Sequence, residues 1–289
     1  MRYLIEHESR LRFPEPVREH HFELRLAPQS GESLRVLRCD VTVAPETELR
    51  EHIDCFGNRV VRGSVMAPHD ALDARVAALV ETRLENPFAF ASLAAAAERP
   101  WLARELAADP SLHSVLLHRS AAVPDLALME GLDAPAFDES RTLLENAVSA
   151  MDWCKGRFAF EPGGTTVHAP LDTFVKRGGG VCQDFAHCLV ALVRGWGFPA
   201  RYVAGYVDPG PEAEAEETTH AWTEILVPGA GWRGIDATHG LVVNDLYVPV
   251  AVGRDSRDAA PVRGTFKGEA QHDAPEVHLR VQRQGGQQQ

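Results

Sequence analysis

The stretch Gly178–His187, GGGVCQDFAH, decides how this chain is read. Three glycines allow the backbone to turn sharply. The apolar run that follows places Phe185, Leu189, Leu192 and Trp196 at i, i+4, i+7 and i+11, one face of a helix, and Gly197 with Pro199 forms its stop. Cys182 therefore falls in the first helical turn. A cysteine there feels the positive end of the helix dipole and backbone N–H groups that the helix leaves unpaired, and both favour thiolate over thiol. A cysteine on an apolar helix is more often core filler, so the rest of the chain has to supply the partners of a nucleophile.

Two later stretches do so. In HAWTEILV (His220–Val227) a strand period puts His220, Trp222 and Glu224 on one face, and GWRGID (Gly231–Asp236) ends on Asp236. An imidazole can take a thiol proton and return it to a leaving amine, while a carboxylate on the next strand fixes the ring's tautomer. Cys182, His220 and Asp236 are thus the candidate nucleophile, base and orienting group. Gln183 and the N–H of Cys182 are candidate donors to an oxyanion, the backbone group being favoured because it follows from position alone. Trp153 and Trp222 could wall an acyl tunnel, although core packing is the expectation for each. Asp184 is expected to cap the helix, His187 to make a structural hydrogen bond, and Cys188 to sit in the core. Cys39, Cys55 and Cys154 carry no partner signature.

Upstream, Phe22, Leu24 and Leu26 alternate with Glu23 and Arg25, and Cys39, Val41 and Val43 repeat the rhythm. Residues 1–75 are accordingly expected to form a small antiparallel β-sandwich domain. From Ala71 to Cys154 the chain is rich in Ala, Leu and Glu and is cut by Pro87, Pro100, Pro110, Pro124 and Pro135, which predicts short scaffold helices. Together with the strands ARYVAGYV, HAWTEILV, GWRGIDA and LYVPVAVG, these give an α+β unit over residues 76–270. Residues 271–289, ending QRQGGQQQ, are expected to be a frayed polar tail.

Composition narrows the partners. A net charge of −12 with no Lys/Arg cluster argues against nucleic acid and anionic membrane. The five cysteines are scattered without a C-x-x-C pair, so neither a disulfide framework nor a zinc ribbon is indicated and reduced thiols are expected. A charged start and the lack of any apolar run near ~20 residues point to a cytoplasmic protein. Cys182, His187 and Cys188 make no zinc set, EAEAEE (Glu212–Glu217) lacks the pattern of a calcium loop, and no Gly-Lys-Ser/Thr follows the glycines. No metal or cofactor is expected.

GVCQDFAH, GFPARYVAGYV, HAWTEI and GIDATHG resemble the core of the transglutaminase-like superfamily in its bacterial branch. GRDSRDAAPVRGTFKG (Gly253–Gly268) is similar to the segment that closes that core, and residues 1 to about 80, with DCFGN, resemble the β-domain that precedes it. The resemblance implies a papain-like fold, the nucleophile helix packed on an antiparallel sheet, with Cys182, His220 and Asp236 as its triad. It implies attack on a carboxamide or peptide carbonyl of a protein or peptide substrate through a thioester. An amine such as lysine would resolve that thioester by transfer, and water by hydrolysis. A dedicated cysteine peptidase or amidase, or a non-catalytic protein-binding module of the same fold, are the alternatives. The departure from the family pattern is the acidic insertion PGPEAEAEETT directly before His220, whose charge would favour cationic acceptors.

Overall fold

The computed structural model describes residues 1–129, 131–163, 169–208, 210, 219–269 and 275–284. Five strands come first: β1 (Arg2–Leu24), β2 (Leu34–Ala44), β3 (Arg50–Ile53), β4 (Arg59–Val65) and β5 (His69–Thr82). Helices α1 (Ala95–Ala108), α2 (Leu112–Leu117) and α3 (Leu143–Arg157) follow, then β6 (Ala159–Phe160), α4 (Leu171–Arg177), β7 (Gly179–Gly180) and α5 (Cys182–Gly195). The chain ends in β8 (Ala200–Val207), β9 (His220–Val227), β10 (Gly231–Asp236), β11 (Leu241–Val242), β12 (Tyr247–Gly253), β13 (Val262–Lys267) and β14 (Glu276–Arg283).

The organising element of the front region is β1. Its first half pairs with β5 and β14, and its second half pairs with β4 and β13. Pro14 and Pro16 cannot donate to a ladder, and Glu19 takes a φ of 48°, so pairing breaks between Arg12 and Val17 and the strand changes partners there. The expected sandwich is therefore one seven-stranded sheet carried by a shared strand, whose halves bury Tyr3 and Ile5 with Phe22, Leu24, Val61 and Val80 in one core.

Two boundaries differ from the sequence expectation. His69–Thr82 is a strand rather than the start of the helical region: Leu72, Ala74, Val76, Ala78 and Val80 alternate inward, so the division at residue 75 cuts through β5. Alanine's helix preference is a weak prior, and here pairing with both β1 and β2 overrides it. The second correction concerns the tail. Residues 276–283 form β14 along the first half of β1, with Leu279 buried, because EVHLRV alternates and an unpaired edge of β1 is there to receive it. β13 likewise joins β1 rather than the core sheet. The front region is built from both ends of the chain.

In the second half of the molecule β11-β10-β9-β8-β12 form an antiparallel sheet with α5 packed on β8 and β9 and with α3 behind α5. Every residue of α5 from Asp184 to Arg194 is buried, which goes beyond the single apolar face read from the sequence. Arg194 is tolerated inside because its guanidinium donates to the carbonyls of Ala200, His118 and Arg254, tying the helix end to β8 and to the turn after β12.

The two halves are stitched through the DCFGN turn. The Asn58 Nδ2 donates to the Val252 carbonyl at 2.7 Å, and the Val252 N–H donates to Asn58 Oδ1 at 2.7 Å, so one amide stands in for a neighbouring strand on β12. Asp54 holds that amide through a third bond at 3.1 Å. Asn58→Ala leaves the half-buried Val252 N–H and carbonyl without these partners and is expected to cost about 1–3 kcal/mol, measured as a drop in urea midpoint with an unchanged m-value.

Candidate active site

The glycine triplet has two separate jobs. Gly178 ends α4 in the left-handed region, φ 77°, donating to the Phe174 carbonyl at 3.0 Å. At Gly180 a Cβ would lie 2.4 Å from Asp184 Oδ2 and 2.9 Å from the Phe174 ring, so a side chain there would push the start of α5 away. Asp184 accepts the Val181 N–H at 2.9 Å and caps the helix as expected. Cys182 is left half-exposed as the first residue of α5, where its own N–H is among those the helix does not use.

His220 opens β9, and its Nε2 lies 2.7 Å from Asp236 Oδ2 at the end of β10. The Cys182 thiol lies near enough to the same imidazole to raise its pKa. With Nε2 committed to the carboxylate, Nδ1 is the nitrogen left for the sulfur. The helix, the first strand and the second strand thus bring together the three side chains that the sequence singled out.

Electrostatics follow from this contact chain. Burial by itself pulls the His220 pKa down, but the hydrogen bond to Asp236 and the neighbouring Asp236 and Cys182 groups win, and it rises to about 10. Asp236 is fully buried, which would raise its pKa, yet the hydrogen bonds from His220 and His239 hold it well below the usual carboxylate range. The pair is therefore written as imidazolium and carboxylate. Because the folded pKa of His220 lies above its ordinary 6.5, protonation favours the folded state. That contribution is complete below pH 6.5 and is lost as pH rises through about 10. The stability gap between wild type and His220→Ala, measured by urea unfolding, is expected to narrow from pH 6 to pH 10.5.

Two residues that the sequence did not mark complete the site. Asp236 Oδ2 also receives His239 Nδ1 at 2.7 Å and the Tyr247 hydroxyl at 2.7 Å. Its other oxygen accepts the N–H groups of Thr238 at 2.9 Å and His239 at 3.2 Å. The ring of His239 lies over that of His220 with centroids 4.6 Å apart. A histidine three residues past a strand-ending aspartate was a readable signal for the first contact. Tyr247 offered none, since it begins β12, which β8 and β9 separate from β10 in the sheet order.

The remaining candidates sort as follows. Trp222 is buried, stacked on His220 at 6.3 Å and edge-on to Tyr247 at 5.2 Å, so it walls the imidazole; its Nε1 has no hydrogen-bond partner among the described residues. Trp153 packs edge-on against Phe158 at 5.7 Å on the apolar core. Gln183 is half-buried beside Cys182. His187 accepts the Ser256 N–H at 3.1 Å, and burial pushes its pKa down to about 4. Cys188 is buried in the same apolar core as Cys154, and all five cysteines are free. Most of the acidic insertion lies outside the described residues. Among the described residues His220, Asp236 and His239 are the one set whose donor atoms converge as metal ligands do, within 4.8 Å. Hydrogen bonds within the set account for that convergence, and zinc would call for a fourth donor.

The model of the transglutaminase-like superfamily core matches residues 132–237, which include Cys182, His220 and Asp236, and that of the bacterial transglutaminase-like N-terminal region matches residues 3–81. The chain belongs to the transglutaminase-like superfamily. His239 and Tyr247 lie beyond the matched core. Relatives of this transglutaminase-like chain include the uncharacterized proteins ML0607 of Mycobacterium leprae, 27% identical over 94% of this chain and 95% of its own length, and Rv2569c of Mycobacterium tuberculosis, 26% identical over 97% and 92%. A similar fold is seen in the crystal structure of a candidate cysteine protease from Cytophaga hutchinsonii, with a TM-score of 0.72 at 21% identity over 99% of this chain and 92% of that one. No described helix is long and apolar enough to cross a membrane.

Proposed function

We propose that this protein is a cysteine enzyme that attacks carboxamide or peptide carbonyls through a thioester on Cys182. The observation that carries this reading is a half-exposed thiol at a helix N-terminus beside His220, whose other nitrogen is hydrogen-bonded to a buried carboxylate. The proton that makes His220 an imidazolium is the one its Nδ1 has taken from the thiol, and the sulfur adds to the carbonyl carbon. The resulting oxyanion meets the N–H of Cys182. His220 then protonates the leaving nitrogen, which departs as ammonia or an amine, and the acyl group stays on sulfur. An incoming water or amine gives its proton to His220, attacks the thioester and releases the thiol.

Water gives a hydrolase and an amine gives an acyltransferase. A non-catalytic module would have no need to keep nucleophile, base and orienting group in contact. The test is to incubate the protein with glutamine-containing peptides and a fluorescent amine, and to follow ammonia release, amine incorporation and backbone cleavage by mass spectrometry. At least one product that disappears in Cys182→Ala is expected; identical product profiles for the two proteins would refute the reading.

Glu212–Glu217 places four carboxylates in the six residues that begin eight positions before His220. We assign it the role of concentrating cationic acyl acceptors near the site. Deleting it is expected to raise KM for lysine-like amines several-fold at low ionic strength and to have little effect at high salt. An unchanged KM at low salt would contradict this role.

A further inference from the structure

We propose that His239 is a positioning residue that, through its Nδ1–H, locks the Asp236 carboxylate onto His220; this rests on the reading of Cys182 as nucleophile. The geometry fixes the tautomer. Nδ1 of His239 faces both Asp236 Oδ2 at 2.7 Å and the Tyr247 hydroxyl at 3.1 Å, while that hydroxyl is itself 2.7 Å from Oδ2. An unprotonated Nδ1 would turn a lone pair toward a buried anion. A protonated one donates to it and leaves the tyrosine hydroxyl free to donate as well.

The main chain holds His239 for this task. Its N–H and that of Thr238 grip Asp236 Oδ1, the Gly240 N–H donates to the Asp236 carbonyl at 2.8 Å, and Lys155 from α3 donates to the His239 carbonyl. Gly240 lies so close to that lysine that a Cβ would fall 2.6 Å from Nζ. Five donors thus surround one carboxylate, and its plane cannot turn away when His220 gains or loses a proton. The side chain of His239 is 47% exposed, so its substitution reports on the site more than on the core.

The test compares the rate at which iodoacetamide alkylates Cys182, mapped by mass spectrometry, in wild type, His220→Ala, His239→Ala, His239→Asn, His239→Gln and Tyr247→Phe. The Asn amide nitrogen is bonded to Cγ, as is Nδ1 of histidine, whereas the Gln nitrogen reaches the place of Nε2. His239→Ala is expected to slow alkylation roughly tenfold at pH 7, the size of one hydrogen bond to a charged group. The acid edge of its pH profile moves to higher pH, because a carboxylate that has lost a donor protonates more readily. His239→Asn restores both rate and profile, His239→Gln does neither, and Tyr247→Phe shows a smaller shift in the same direction. Rescue by Gln but not by Asn, or an unchanged rate in His239→Ala, would overturn the positioning role while His220→Ala still slows the thiol. If His220→Ala alkylates as fast as wild type, the nucleophile reading itself fails.

Discussion

Cys182→Ala is expected to lose whichever amide-directed activity the wild type shows, by about 10^4-fold or more, while its folding is preserved. The size follows from chemistry rather than from packing. Only the sulfur can carry the acyl group, and what remains after its removal is the contribution of oxyanion contacts and substrate binding. The fold should survive because Cys182 is half-exposed at the first position of α5, and the cap made by Asp184 onto the Val181 N–H does not involve the sulfur. Steady-state kinetics and circular dichroism on the same sample separate the two effects. Loss of activity accompanied by loss of helix signal would point to a structural role for the thiol.

Asp236→Asn is expected to reduce kcat by roughly 10^3- to 10^4-fold and, unlike Cys182→Ala, to destabilise the protein as well. One side of the carboxylate accepts from His220, His239 and Tyr247, and the other from two backbone N–H groups. An amide satisfies only one side. With its oxygen toward the three side chains, its NH2 meets the N–H groups of Thr238 and His239. Turned the other way, its NH2 faces His220 Nε2, so the ring must carry its proton on Nδ1 and can no longer take one from the thiol. Burying donor against donor is expected to cost about 2–4 kcal/mol in urea unfolding, beside the kinetic loss. A stable Asp236→Asn with near-normal turnover would mean that the carboxylate does not orient the base.

These expectations rest on residues of very unequal visibility in the sequence. Cys182, His220 and Asp236 could be read because each lies at a local boundary: a glycine-to-helix turn, the start of an alternating strand, and the end of the next one. His239 was half-legible, three residues beyond a strand-ending aspartate. Tyr247 was not, since its contact with Asp236 depends on how the sheet brings the start of β12 to the end of β10, and no local pattern encodes a non-adjacent strand contact. The same limit explains the fold differences. β5 was hidden by its alanines, which favour helix in isolation, although the alternation of Leu72, Ala74, Val76, Ala78 and Val80 was present. β14 was hidden by the polar residues around it, and only an open edge on β1, supplied by the far end of the chain, makes EVHLRV a strand. Buried Arg194 and the Asn58 bridge likewise depend on carbonyls and N–H groups that tertiary structure places within reach.

Most direct is a search for the acylated enzyme. Mixing the protein with a glutamine-containing peptide, quenching in acid within the first turnover and mapping the digest by mass spectrometry should find the acyl group on the peptide that contains Cys182, in amounts that fall sharply in His220→Ala. An acyl group on another residue, or turnover that proceeds with Cys182 never modified, would contradict the account.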